Sequence, residues 1–226
     1  MSDVMSANAS AASQLPMAPQ VPAARLIATL GVAGALAGLL IVLVFQWAQP
    51  RILENRARAT QAAISEVLGE GERFQTLFLH NGALTPALPA GVDSMTLDKI
   101  YVGYDAADAR VGYAIIHSEA GFADQVRVIF GYDSGTGTVL GMRVLENKET
   151  PGLGDKIVKD SAFVAGFNGR ATPLVGVKAG AGSGGEAEVD MITGATISSR
   201  VVIAIINHRL AAVRPLIEQY EQRGPE

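Results

Sequence analysis

Residues 100–146 read IYVGYDAADARVGYAIIHSEAGFADQVRVIFGYDSGTGTVLGMRVLE. Within this stretch YVGYD, VGYAIIHS, DQVRVIFGYD and GTVLGMRVLE are rich in β-branched and aromatic residues, and turn-formers such as AADA and SGTG part them. Short strands at that spacing predict an antiparallel meander. Downstream, residues 161–167 predict a short helix, and residues 198–222 a long one. The long helix carries Val201, Val202, Ile205, Ile206, Leu210, Val213 and Ile217 at helix-face spacing. Strands grouped together with helices at one end describe an α+β domain. Between the helices lies AGAGSGG, residues 179–185. It lacks a following Gly-Lys-Ser/Thr and does not open into a helix, so it reads as a flexible surface loop and not as a phosphate loop.

Upstream of the meander the character changes. Residues 26–47, LIATLGVAGALAGLLIVLVFQW, form 22 positions without a charge. As a helix they would span about 33 Å, enough to cross a bilayer core of about 30 Å. Arg25 and Arg51 bracket the run, and Trp47 sits where an indole favours the water–lipid interface. Gly31, Gly34 and Gly38 either offer a face for close helix packing or reflect the ordinary glycine content of such helices. The run exceeds the 7–15 residues of a signal-peptide core, and no small-x-small cleavage site follows it before Arg51. An uncleaved anchor over residues 25–49 is expected. Residues 1–24, rich in Ala, Ser, Met and Pro, read as a disordered tail. Residues 50–75 read as a juxtamembrane helix carrying Ile52, Ile64 and Leu68. Pro86, Pro89, Gly82 and Gly91 mark a loop within the remaining domain, 76–226. Arg51, Arg56 and Arg58 follow the span whereas only Arg25 and the terminal amine precede it. That count favours a cytoplasmic domain, weakly, because large domains translocate regardless of flanking charge.

Composition narrows the chemistry. The chain of 226 residues has a net charge of −4 and shows no basic excess of the kind nucleic acid demands. It contains no cysteine, which excludes disulfides, thiol redox pairs and cysteine-held iron–sulfur clusters. His80, His117 and His208 stand far apart without metal-ligand spacing, so no metal is expected. Electron transfer, if performed, needs an organic cofactor.

Residues 190–199, DMITGATISS, gather hydroxyl and small side chains just before the long helix. Two readings share that geometry. Ser and Thr oxygens cap free N–H groups at helix starts. Alternatively, the unpaired N–H groups and the positive end of the helix dipole receive a phosphate or phosphodiester, with Gly194 and Ala195 leaving room to reach Thr196. A second segment, ETPGLGDK at 149–156, has a Pro151-Gly152 turn and a Gly154 that permits close backbone approach.

Asp190-x-x-Thr193-Gly194-Ala195-Thr196-x-Ser198 resembles the flavinylation motif of the FMN-binding domain shared by the Rnf G and Nqr C subunits, and ETPGLGDK resembles a second signature of that family. The ETPGLGDK wording and the moderate length favour the G subunit of the Rnf ion-translocating electron-transport complex. The alternatives are the C subunit of sodium-pumping NADH:quinone reductase and a membrane-tethered binding or scaffold module. The resemblance implies FMN joined covalently by a flavin transferase through a phosphoester to Thr196. Thr193, Gly194, Ala195 and Asp190 would border the bound cofactor, with Asp190 part of the transferase recognition element. Thr150, Leu153 and Gly154 would face the flavin, and Lys178 would lend it positive charge. The chain would be an electron relay without catalytic residues of its own, in a complex coupling reduced ferredoxin and NAD to ion movement. It would sit with integral and peripheral partner subunits in the bacterial inner membrane, its domain periplasmic, against the arginine count.

Overall fold

A computed structural model describes residues 22–223 except 70, 90 and 95. The expected tail at 1–24 lies outside the described residues up to position 21, and Ala23 already opens a helix. Contacts divide the chain into two units after Glu54.

The first unit holds most of helix α1, Ala23–Leu68. Its apolar side chains from Leu26 to Trp47 are exposed throughout, as a membrane-spanning surface requires. The anchor and the juxtamembrane helix are one element, because the helix continues through Pro50. Proline removes a single i→i−4 bond. Next to it the Arg51 guanidinium stacks 4.6 Å above the Trp47 ring.

In the second unit α1 stops at Leu68, earlier than the expected residue 75. Gly69, at φ +60, donates its N–H to the Ser65 carbonyl at 3.0 Å, the left-handed ending that glycine permits. Strand β1 follows at Arg73–His80, paired with β2 at Ala83–Thr85 across an Asn81-Gly82 turn with both residues at positive φ. The four expected strands are β3 (Asp98–Tyr104), β4 (Arg110–Ala120), β5 (Gln125–Asp133) and β6 (Thr138–Glu146). Short helices α2 (Lys156–Lys159) and α3 (Ser161–Ala165) lead to β7 (Arg170–Ala171), β8 (Val175–Lys178) and β9 (Glu188–Met191). The final helix is α4, Thr196–Arg223.

Seven strands make one antiparallel sheet in the order β2-β1-β3-β4-β5-β6-β7, and β8 and β9 form a separate parallel pair. The sheet is covered on both faces. Along β4 and β5, Tyr113, Ile115, Val128 and Phe130 face α4, where Val202, Ile206 and Val213 are buried. The alternate residues Ala114 and Ile129 face Ala63, Ile64, Val67 and Leu68 of α1. Double coverage explains why β5 reads as a nearly unbroken apolar run. On the α1 side the approach is so close that a Cβ at Gly131 would collide with the Val67 carbonyl.

Segment 179–185 is not a free loop. The N–H groups of Ser183, Gly184 and Gly185 and the Ser183 hydroxyl all donate to the Glu188 carboxylate, at 2.7 to 3.2 Å. Arg170 also donates to the Gly185 carbonyl at 3.3 Å. The glycines wrap an anion, and that anion is a side chain of the same protein.

Two outcomes follow from this packing. Gly131→Ala should destabilise the domain by about 1–3 kcal/mol in denaturant titration of the full chain, since the helix must retreat from the sheet. The Ser183 hydroxyl, ahead of the backbone donors, holds the Glu188 carboxyl below its usual range. A depressed carboxylate gives its stabilisation above the ordinary pKa and loses it as pH falls through the lowered one. Protection factors of the amides at 183–185, taken against the intrinsic exchange rate at each pH, should therefore fall as pH drops below the ordinary carboxylate range, and should be lower than wild type at neutral pH in Glu188→Gln.

Candidate functional site

Both motifs are built on the same device. In Thr150-Pro151-Gly152-Leu153 the Leu153 N–H donates to the Thr150 carbonyl at 3.2 Å, and Gly152 stands at φ +79. In Ile192-Thr193-Gly194-Ala195 the Ala195 N–H donates to the Ile192 carbonyl at 3.0 Å, and Gly194 stands at φ +83. Glycine at the third position with positive φ is the pattern of a type II turn, with proline favoured just before it. The first turn exposes Thr150 and Leu153, and the second exposes Thr193 and Gly194 while burying Ala195.

The second turn delivers the chain into α4. The helical ladder begins where Ser199 N–H meets the Ala195 carbonyl at 2.9 Å, so the N–H groups of Thr196, Ile197 and Ser198 precede it. The Ser199 hydroxyl ties the turn to the helix: it donates to the Ala195 carbonyl at 2.9 Å and accepts the Ile192 N–H at 3.1 Å. Thr196 is exposed in the first turn of the helix and is not used for capping. Its hydroxyl stands at the positive end of the helix dipole.

Glu149 joins the two motifs. It is only 4% exposed, yet its Oε1 accepts the N–H groups of Phe122 and Ala123 at 2.8 and 3.1 Å, and its Oε2 accepts the Ser198 hydroxyl at 2.7 Å. Two glycines make space for it. A Cβ at Gly121 would strike Oε1, and one at Gly154 would stand 2.7 Å from Oε2 and 2.8 Å from Ser198 Oγ. The β4–β5 turn, the 149–155 loop and the first turn of α4 thus meet at one carboxylate. Each of these segments also carries one large exposed apolar side chain: Phe122, 67% exposed; Leu153, 52%; and Ile197, 53%.

The remaining sequence-predicted residues fall nearby on the β8–β9 side. Asp190 and Thr193 line an open groove of about 990 Å³ with Lys156, Lys159 and Arg170. Lys178 ends β8, exposed, in register with Met191 on the strand that feeds the second turn. Asp190 is exposed one position earlier, opposite Val177. Gly154 makes the close backbone approach expected of it, and the partner is Glu149. Sequence reasoning gives no role to Glu149, Phe122, Ile197 or Ser198. Glu149 opens the ETPGLGDK segment, but glutamate is so seldom buried that its position carries no signal of burial. The fold also brings His117 and His208 to one carboxylate, with Glu119 Oε1 at 3.8 and 3.0 Å. Among the described residues no group of three or more His, Cys, Asp or Glu is arranged to hold a metal.

Known proteins are similar to this chain. The FMN-binding domain family matches residues 121–211, which include both motifs and the β4–β5 turn. The G subunit of the ion-translocating oxidoreductase complex of Pseudoalteromonas atlantica is 29% identical over 170 residues, 75% of this chain and 78% of that protein. Its counterpart in Vibrio cholerae is 39% identical over 107 residues, 46% of this chain and 51% of its own length. Among solved structures, Shewanella oneidensis NqrC superposes with a TM-score of 0.56 at 16% identity, over 70% of this chain and 87% of that one, and so shares the fold. The counterpart in Pseudomonas aeruginosa is 31% identical over 187 residues, 78% of this chain and 82% of that protein. The chain belongs to the family of G subunits of ion-translocating oxidoreductase complexes.

Proposed function

We propose that this chain is the FMN-bearing electron relay of an Rnf-type complex, with the cofactor held as a phosphoester on Thr196 Oγ1. The observation that carries the reading is the exposed Thr196 side chain in the first turn of α4, two residues before Ser198, whose hydroxyl ties that turn to Glu149 of the ETPGLGDK motif. The match of the FMN-binding domain family over 121–211 and the family of the relatives support it.

FMN supplies the capacity to take up and release electrons, and the protein supplies position and electrostatics. A flavin transferase delivers the FMN half of FAD to Thr196 Oγ1. The threonine oxygen gains a bond to phosphorus, its proton leaves, and the broken pyrophosphate departs as AMP. The N–H groups ahead of the α4 ladder then face the phosphodiester charge. The Gly194 turn keeps the approach to Thr196 open, because the exposed third position of the turn carries no side chain. Leu153, Phe122 and Ile197 give the ring apolar contacts, and Thr150 borders it. Lys178 and Asp190 lie on the strands that lead into the attachment turn. Asp190 and Thr193 belong to the surface the transferase reads.

The apolar part of α1 anchors the chain in the bacterial inner membrane among the other subunits, with the domain on the periplasmic side. Electrons pass through the flavin as the complex couples reduced ferredoxin and NAD to ion movement. Neither soluble substrate is bound by this chain.

After co-expression with a flavin transferase, the protein band should fluoresce under ultraviolet light on a denaturing gel. Thr196→Ala should abolish that signal, and Thr193→Ala should retain part of it. Peptide mass spectrometry should find the residue 196 side chain carrying FMN with the loss of one water. A dark wild-type band, or an unmodified Thr196 in the assembled complex, would overturn the assignment. Periplasmic reporter fusions at the C-terminus should be active and cytoplasmic ones silent.

A further inference from the structure

The reading that FMN sits on Thr196 leaves one buried charge without a task. Glu149 is fixed by three donors beside the first turn of α4, and one of them, Ser198, lies two residues from the attachment point. A loop that needed only to be held in place could use neutral groups for the purpose. An ionised carboxylate is a costly choice for a buried position unless its charge is compensated. Here the compensation is limited to two backbone N–H groups and one hydroxyl. No cation forms a salt bridge to Glu149 among the described residues, although Lys148, its neighbour in sequence, pairs with Asp124 at 2.9 Å. The carboxylate is therefore hydrogen-bonded but forms no ion pair. A charge on it would act on the first turn of α4 through protein, where screening is weaker than in water.

We infer that Glu149 is a positioning residue for the flavin that also sets its potential: it locks the three ring-bearing segments together, and its unneutralised charge makes the flavin harder to reduce. This rests on the assignment of FMN to Thr196. The ring gains negative charge as it is reduced, so a fixed negative charge nearby disfavours the reduced form. The two functions separate by substitution. Glutamine has nearly the same shape, and its carbonyl can still accept the N–H groups of Phe122 and Ala123. Its amide would donate to Ser198 Oγ, which can rotate to accept. Glu149→Gln thus preserves the lock and removes the charge. Ser198→Ala does the reverse. It removes one compensating donor and leaves the carboxylate in place, with a stronger field.

The test is an equilibrium redox titration, by absorbance, of the full-length flavinylated protein in detergent, with dithionite as reductant and soluble mediators present. The midpoint potential of Glu149→Gln should shift upward from wild type and that of Ser198→Ala downward. Flavin fluorescence anisotropy should stay at the wild-type value in the former and fall in the latter. Unchanged potentials, or shifts of the same sign in both variants, would overturn the inference. If Glu149→Gln does not fold, Ser198→Ala decides the matter alone, and an unmoved potential there sinks the idea. Failure of the underlying assignment looks different, because the wild-type protein would carry no covalent flavin to titrate.

Discussion

A carboxylate that is almost wholly removed from water constrains everything around it. Leaving such a group without partners costs several kcal/mol, so the chain must bring donors to it or leave it outside. Glu149 draws its donors from two places distant in sequence, the turn after β4 and the start of α4. It can do so only because Gly121 and Gly154 let the backbone close around it. The three segments that line the candidate site are consequently fixed by one side chain. The sheet positions the turn, the 149–155 loop supplies the acid, and α4 arrives with Ser198 facing inward and Thr196 facing out. That alternation is a property of the helix, since residues two apart point to different sides.

The rest of the fold serves to hold those segments at a rigid distance. The sheet is packed on both faces, so β4 and β5 cannot shift without disturbing two cores. Helix α4 lies across one face, and Tyr113 and Ser134 both donate to Glu221 near its far end, at 2.9 and 2.5 Å. Burial pushes the Tyr113 hydroxyl pKa well up from its ordinary value, which keeps it a donor to Glu221. The first turn of α4 is thus located from both ends: by Glu149 at its start and by the strands along its length.

How much of this can be read from the residues depends on whether the signal is local. The four strands within 100–146 have period and turn chemistry written in them, and they form as expected. The same is true of the Pro151-Gly152 turn and the close approach at Gly154. Other local signals are weaker beside their surroundings. Asn81-Gly82 between apolar runs marks a hairpin, and Gly69 marks the end of a helix, yet β1, β2 and the stop at Leu68 lie outside what the sequence reading predicts. Pro50 reads as a boundary because proline interrupts a helix in most settings, but the cost is one hydrogen bond and the helix continues. The glycine-rich segment reads as flexible because its anchor, Glu188, follows it and accepts through atoms that composition does not reveal. Glu149 is beyond local reading altogether. Its burial arises from contacts with residues 26 and 27 positions earlier and 49 positions later.

An exposed site is also one that the proposed covalent bond would serve. Phe122, Leu153 and Ile197, on the three segments that meet at Glu149, are more than half exposed, so they offer an open surface. A planar ring resting on such a surface would lose little of its contact with water, and the loss of its translational freedom on binding would go uncompensated. Attachment removes that cost by making the contact intramolecular, at an effective concentration set by a short tether. The geometry then has a further consequence. A ring that is tethered but not enclosed keeps one face accessible, and electron exchange with neighbouring subunits needs such a face. A deep pocket would hold FMN without an ester, but it would also bury the surface across which electrons must pass. On the proposed reading, openness and covalent linkage would be two sides of one solution, and the buried Glu149 would supply the rigidity that an open site cannot obtain from its cofactor.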